Sequence, residues 1–141
     1  MTYLKKDTEI AFKGKKAKFG VLSMTTALKT VGMLKPMEAL RAANPARLHY
    51  GQSFDPTKID SNYFSFTKLL TELDVDILWI TPKNNKIADS VFTYDASFMT
   101  QNGAILLSPG KPLRKGEEKI HEDFYVSHGI PIIGKTSGLA V

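Results

Sequence analysis

The sequence contains no cysteine among its 141 residues. Disulfides, thiolate metal sites and a cysteine nucleophile are therefore excluded from this chain. It also has no apolar run near the ~20 residues that a membrane-spanning helix needs, so we expect no membrane partner. The opening residues, MTYLKKDTEIAFKGKK, lack the apolar stretch of a secretory signal peptide. A cytoplasmic location is the default expectation.

Acidic residues are the minority, with 14 against 19 basic ones and a net charge of +5. The densest basic run is KGKKAK, Lys13–Lys18. It has no interleaved aromatic residues on which bases would stack, so it predicts a solvated arm or turn and no nucleic-acid partner. Basic residues are absent between Lys86 and Lys111, a stretch that contains Asp89 and Asp95.

Apolar periodicity and turn residues predict a single α/β domain over residues 1–141. The Asn-Gly of QNG, Gln101–Gly103, lies between two apolar runs and predicts a β-hairpin. A helix followed by a short turn and a strand occurs twice, which indicates a repeated strand–strand–helix–strand module. The predicted elements are strands at 19–24, 75–81 and 130–133, and helices at 36–44, 57–73 and 113–128.

Asp89 and Asp95 border the apolar residues of DSVFTYDASFM. If 89–95 is extended, both carboxylates point to one face, where a cation must pair with them because buried carboxylates are costly. Arg114, at the start of the last helix, either pairs with one of them or binds a ligand carboxylate. The alternative is structural: Asp89 as a turn residue, Asp95 as a strand end and Arg114 at the surface.

Residues 88–117, ADSVFTYDASFMTQNGAILLSPGKPLRKGE, resemble the guanidine-modifying, or pentein, superfamily. The resemblance is to the dimethylarginine dimethylaminohydrolase branch and its amidinotransferase-like relatives. In that branch an Asp-x-Val-Phe-x-x-Asp segment precedes a hairpin, a Pro-Gly turn, an Arg and a Glu. The matching residues are Asp89, Val91, Phe92, Asp95, Pro109, Gly110, Pro112, Arg114 and Glu117.

The resemblance implies an α/β propeller of repeated ββαβ modules, incomplete in this chain. It implies that Asp89 and Asp95 hold the guanidine of an arginine-like substrate, that Phe92 walls the pocket and that Arg114 grips the substrate carboxylate. A cysteine thiolate then attacks the guanidine carbon and a histidine transfers protons, without a metal or an organic cofactor. The product is citrulline when water is the acceptor, and the scaffold is compatible with a homodimer.

The sequence departs from the family pattern in two ways. Tyr94 stands where dimethylargininases usually have Glu. The family's catalytic His and Cys have no counterpart here, so we expect 1–141 to be the N-terminal portion of a longer catalytic domain and to be inactive alone. His49, His121 and His128 match neither the catalytic position nor a metal set. We interpret them as structural, with His121 at the surface or half-buried.

Three functions stay open at this point. The first is a hydrolase of arginine or methylated arginine, with an amidinotransferase as its variant when an amine is the acceptor. The second is a non-catalytic binding protein on the same scaffold. The third is an α/β domain of unrelated function whose match is fortuitous.

Overall fold

The computed structural model describes the backbone of residues 9–12 and 15–18, and residues 28–83 and 85–137 with their side chains. Its strands are β1 Glu9–Phe12, β2 Lys15–Lys18, β3 Thr30–Met33, β4 Asp76–Trp79, β5 Ser97–Thr100, β6 Gly103–Leu106 and β7 Ile132–Lys135. Its α-helices are α1 Glu38–Arg41, α2 Pro45–Leu48, α3 Ile59–Glu72 and α4 Glu117–Ser127. Short 3-10 turns occur at Pro56–Lys58, Ala88–Val91 and Pro112–Arg114.

The strands form three small sheets in the described part of the chain. β1 and β2 are antiparallel, β3 and β4 are parallel, and the third sheet has the order β5-β6-β7 with β5 antiparallel and β7 parallel to β6. The mixed α/β class is therefore confirmed. No closed sheet is found among the described residues, and the propeller stays a prediction.

A helix followed by a strand occurs twice, as predicted, whereas the described residues contain the full strand–strand–helix–strand module once, as β5-β6-α4-β7. Val31 of β3 pairs with Ile77 of β4, which follows α3, and Ala104 of β6 pairs with Ile132 of β7, which follows α4. Parallel neighbours need such crossover connections. Asp55 starts the first crossover, because its carboxylate accepts the Thr57 backbone N–H at 2.9 Å.

Helix α4 packs between the second and third sheets. Ile120 and Phe124 are buried in the larger apolar core as the sequence predicts, and the Phe124 ring lies 3.5 Å from where a Cβ on Gly32 of β3 would stand. The core residues it joins are Leu34, Ile80, Ile87, Ala104 and Leu106. This packing brings the N-terminus of α4 towards the 88–96 segment.

The predicted hairpin is present, and its glycine has a steric reason. Gly103 begins β6 with φ of +137°, and a Cβ there would lie 2.3 Å from the carbonyl oxygen of Pro131. The Ala104 N–H donates to that same carbonyl at 2.8 Å. Only glycine lets β7 approach this closely.

Residues 89–95 are not extended, so the condition under which both carboxylates would point to one face of a strand is not met. Ala88–Val91 is a 3-10 turn and the chain keeps turning to Ala96. The Ser90 hydroxyl donates to the Ile87 carbonyl at 2.7 Å and the Phe92 N–H to the Asp89 carbonyl at 2.9 Å. These local bonds compete with strand pairing.

Other boundaries also differ from the sequence-based ones. The predicted arm at Lys13–Lys18 includes β2, and the structure adds β3 and α2, which the sequence reading did not assign. Asn44 caps α2 by accepting the Arg47 N–H at 3.2 Å, and Pro45 follows it as the first helical residue. The predicted strand at 19–24 lies outside the described residues.

Candidate functional site

Asp89 is an enclosed carboxylate with several cationic and hydroxyl neighbours. Only 3% of it is exposed. The Lys111 ammonium donates to its Oδ2 at 3.1 Å, and the Tyr50 hydroxyl donates to its Oδ1. The Arg114 Nε lies 3.9 Å from the same Oδ2. Asp89 therefore lies in a turn, which was the structural alternative in the sequence analysis, and it is also paired with cations.

Arg114 connects the two other carboxylates of the cluster. Its Nε and Nη2 donate to the two oxygens of Glu117 at 2.8 and 2.6 Å, a bidentate fork, and its Nη1 donates to Asp95. Turns on three segments supply these groups: 88–96, Pro112–Arg114 and the first turn of α4. The structure thus brings Asp89, Asp95 and Arg114 together, and of the alternatives that the sequence offered for Arg114 it shows the pairing with an acid.

The cluster carries an excess of negative charge. Three carboxylates, those of Asp89, Asp95 and Glu117, face the two cations Arg114 and Lys111, so the fully ionised cluster has a charge of −1. The side chain of Asp95 is 35% exposed, whereas that of Glu117 is 1% exposed. An additional cation from solvent would therefore meet Asp95 first.

Burial shifts the proton affinities of this cluster. Burial raises the pKa of the Glu117 carboxyl, against the opposing pull of the Arg114 guanidinium. Burial, the hydrogen bond to Asp89 and that carboxylate's charge raise the pKa of the Tyr50 hydroxyl, so Tyr50 acts as a donor to Asp89 and not as a phenolate. Each shift follows from transferring charge out of water.

A cleft of about 620 Å³ lies beside the cluster. Phe92, which is 40% exposed, lines it together with Val91, and Tyr50 and Phe54 form another part of the wall. The carboxylates themselves do not line this cleft; Tyr50 connects the two, since its ring faces the cleft and its hydroxyl reaches Asp89. Phe92 therefore has the position of a wall residue.

A second polar group was missed by the sequence reading. His121, predicted to be a surface or half-buried residue, is fully buried, with 3% exposed. The Ser97 hydroxyl forms two hydrogen bonds, one with the His121 Nδ1 at 2.8 Å and one with the Tyr125 hydroxyl at 2.6 Å. Burial, and then the Arg114 charge, lower the pKa of His121 to about 4. Glu117, His121 and Tyr125 recur every fourth residue, and this spacing was the available signal of one shared helix face.

The remaining candidates stay apart from the cluster. His49 is exposed in the left-handed region with φ of 59°, and His128 caps the end of α4. Tyr94, where the family usually has Glu, is 76% exposed. Within 28–83 and 85–137 no group of three or more His, Asp or Glu side chains is arranged to hold a metal. None of the described helices is long and apolar enough to cross a bilayer.

Comparison with known proteins gives matches among solved structures alone: no protein-family model and no curated protein matches the chain. A dimethylarginine dimethylaminohydrolase from Pseudomonas aeruginosa, a cysteine-to-serine mutant complexed with citrulline, matches with 24% identity and a TM-score of 0.64, covering 80% of this chain and 43% of its own. An adduct of dimethylarginine dimethylaminohydrolase with 4-chloro-2-hydroxymethylpyridine matches with 25% identity and a TM-score of 0.62, covering 79% and 42%.

A third similar structure is a histidine-to-glycine form of dimethylarginine dimethylaminohydrolase, in an adduct with S-methyl-L-thiocitrulline. It matches with 25% identity and a TM-score of 0.63, covering 79% of this chain and 43% of that one. The chain thus spans a little over two fifths of the length of the solved structures it matches. The resemblance to the dimethylarginine dimethylaminohydrolase branch, inferred from residues 88–117, is confirmed.

Proposed function

We propose that this chain carries substrate-binding residues of a hydrolase acting on the guanidine group of arginine or methylated arginine. The observation that supports this most is the acid–arginine cluster of charge −1, lying on a fold similar to dimethylarginine dimethylaminohydrolases. A guanidinium is a planar cation whose paired N–H donors match carboxylate oxygens. The cluster has the sign and the donor-accepting groups for such a ligand.

Each predicted residue receives a role in this proposal. Asp95, the accessible acid, receives the guanidinium, Asp89 supports it from beneath, and Phe92 walls the cleft. Arg114 uses three of its N–H donors on Glu117 and Asp95. A guanidinium has five donors in total, so two remain with which Arg114 can hold a ligand carboxylate.

The covalent step needs a group that these 141 residues do not contain, since they include no cysteine. We propose that a thiolate from outside them attacks the guanidine carbon and that the C–N bond to the amine breaks with proton transfer to the amine. Water then adds to the same carbon, which releases the thiolate and leaves citrulline. The chain by itself is expected to bind without completing this reaction.

The test is to isolate the native protein from its source, determine its intact mass and assay citrulline release from arginine and from methylarginines. We expect a mass above that of 141 residues, citrulline release, and its loss in Asp89→Asn and Asp95→Asn variants of the intact protein. Asp123→Asn, which removes an acid from the exposed face of α4, is the control and should retain activity. Full activity in both cluster variants would refute the assignment of the site.

A second candidate is a protein that binds a guanidine ligand and does no chemistry. The absence of cysteine from these residues favours it. In that case the native protein binds arginine and releases neither citrulline nor, with an added amine, a transferred amidino group. The second of these assays also separates hydrolysis from amidino transfer.

A further inference from the structure

The ammonium of Lys111 lies between two acceptors that belong to different parts of the chain. It donates to the Oδ2 of Asp89 at 3.1 Å and to the backbone carbonyl of Leu48 at 2.7 Å. Leu48 is the last residue of α2, and the next residue, His49, has a left-handed backbone. One side chain therefore joins the buried acid to the segment that leaves α2.

The two partners of this ion pair differ in their freedom to separate. The side chain of Lys111 is 32% exposed, whereas that of Asp89 is 3% exposed. A flexible four-carbon stem can take the ammonium into solvent without a backbone change. Asp89 has no such exit, and an unpaired buried carboxylate is strongly destabilising. When Lys111 departs, Asp89 keeps the Tyr50 hydroxyl and the more distant Arg114 Nε at 3.9 Å, so a second cation is needed to restore its closest ionic contact.

The same carboxylate also fixes the wall of the cleft. The Tyr50 hydroxyl donates to Asp89, and the Tyr50 N–H donates to the Pro45 carbonyl at 2.9 Å. The Tyr50 ring packs against Phe54 with 4.7 Å between centroids. Lys111 and Tyr50 together thus hold segment 48–54 against Asp89, on the side where the cleft opens.

We propose that Lys111 is an internal occupant of the Asp89 site, which the guanidinium of the ligand displaces. Lys111 is then a specificity-determining residue, because a ligand whose side chain ends in a neutral group cannot replace its charge beside Asp89. Its departure also releases the Leu48 carbonyl and loosens segment 48–54. The choice of arginine as the ligand rests on the proposed function, while the hold on segment 48–54 does not.

The first test observes Lys111 directly in the intact protein. Nitrogen-15 NMR of the lysine side-chain amines, with the Lys111 signal assigned from a Lys111→Arg variant, is recorded during titration with L-arginine and with citrulline. We expect arginine to shift the Lys111 signal towards that of exposed lysines and citrulline to leave it in place. Saturable binding of arginine with the Lys111 signal unchanged would overturn the proposal while leaving the proposed function intact.

The second test removes the competing cation. Lys111→Met should bind arginine about tenfold more tightly than the wild type, equivalent to about 1.4 kcal/mol. Lys115→Met, which removes an exposed positive charge four residues away, should bind as the wild type does. Lys111→Gln, which stays polar, replaces Lys111→Met if that variant does not fold. Equal or weaker binding after loss of the Lys111 charge would contradict competition.

The third measurement needs no ligand and separates this inference from the proposed function. Amide hydrogen exchange over 48–54 should be faster in Lys111→Met than in Lys115→Met, because the bond to the Leu48 carbonyl is lost. Faster exchange in a protein that binds no arginine would support the restraint of segment 48–54 by Lys111 and reject arginine as the ligand. Unchanged exchange would show that Lys111 does not restrain this segment.

Discussion

The two faces of helix α4 carry ionic clusters of similar composition in opposite surroundings. At its buried N-terminal face, Glu117 bonds Arg114, and their side chains are 1% and 12% exposed. On its outer face Lys119 pairs with Glu122 and Asp123, each at 2.9 Å, and is 64% exposed. Both clusters have short contacts, yet water screens only the outer one.

The comparison shows that a shifted pKa does not by itself identify a functional site. Hydrogen bonds to Asp123 and Glu122 raise the pKa of Lys119, but the three side chains are 40%, 24% and 64% exposed respectively and remain in contact with water. In the inner cluster burial is the largest cause acting on Glu117. Desolvation combined with an excess of one charge, and not the number of ion pairs, distinguishes the candidate site.

The largest expected difference between the two faces comes from removing one cation from each. Arg114→Met leaves Glu117 buried without its partner and should lower the free energy of unfolding by about 3–5 kcal/mol. Lys119→Met should change it little, because its acids are solvated. Urea denaturation of both variants measures this. Equal losses would show that burial does not separate the clusters.

A smaller effect concerns His121, which extends the buried face of α4. Its pKa is lowered from 6.5 to about 4, so between these values the unfolded chain binds a proton that the folded chain does not. His121 therefore does not lower the free energy of unfolding above pH 6.5. As the pH drops towards 4, proton uptake by the unfolded chain lowers that free energy by about 2–3 kcal/mol. Urea denaturation at several pH values across this range measures how steeply the free energy of unfolding changes with pH.

The matched variants for that slope are His121→Gln and His49→Gln. The first should reduce the loss of stability on acidification, because the buried titrating group is gone. The second removes an exposed histidine and should keep the slope of the wild type. A slope unaffected by His121→Gln would mean that other groups cause the acid sensitivity.

Tyr125→Phe should have a still smaller effect. It deletes one hydrogen bond, that of the Tyr125 hydroxyl with Ser97, and leaves the bond between Ser97 and His121. We expect a loss of about 1 kcal/mol by thermal or urea unfolding. Tyr94→Phe, at an exposed ring, is the control and should leave the free energy of unfolding unchanged. Similar losses in both variants would show that the buried Tyr125 hydroxyl contributes no more than the exposed one.

The smallest effect is expected on the outer face and should depend on salt. Glu122 accepts from both Lys119 and Lys135. Any destabilisation by Glu122→Gln in dilute buffer should disappear at about 1 M salt, where the Debye length is about 3 Å. The loss of free energy of unfolding in Arg114→Met should persist at that salt concentration. If this loss also disappeared, the ion pairs of Arg114 would be screened by solvent like those of the outer face.

Local rules predicted the elements that depend on neighbouring residues. The hairpin at Asn102-Gly103 and the helix predicted at 57–73, present as α3 Ile59–Glu72, both follow from short-range sterics and periodicity. The pairing of Arg114 with one of the two acids was one of the two alternatives that the residues offered, whereas the resemblance of residues 88–117 assigned Arg114 to a ligand carboxylate. These features need few contacts distant in sequence.

The errors lie where tertiary contacts decide the outcome. Apolar residues favoured an extended 89–95 segment, but Ser90 and Asp89 form local hydrogen bonds in a turn. His121 was predicted to be a surface or half-buried residue because its sequence neighbours are charged, and its bond to Ser97, 24 residues away, could not be anticipated. The contact of Lys111 with Leu48 spans 63 residues and carries no local signal.

The most direct test of the central claim is a calorimetric titration of the intact protein with L-arginine and with citrulline, in the wild type, Asp95→Asn and Asp123→Asn. We predict that arginine binds more tightly than citrulline, that Asp95→Asn abolishes this preference and that Asp123→Asn retains it, because a guanidinium is charged and a ureido group is not. Equal binding of both ligands, or an undiminished preference in Asp95→Asn, would contradict a guanidinium site in this cluster.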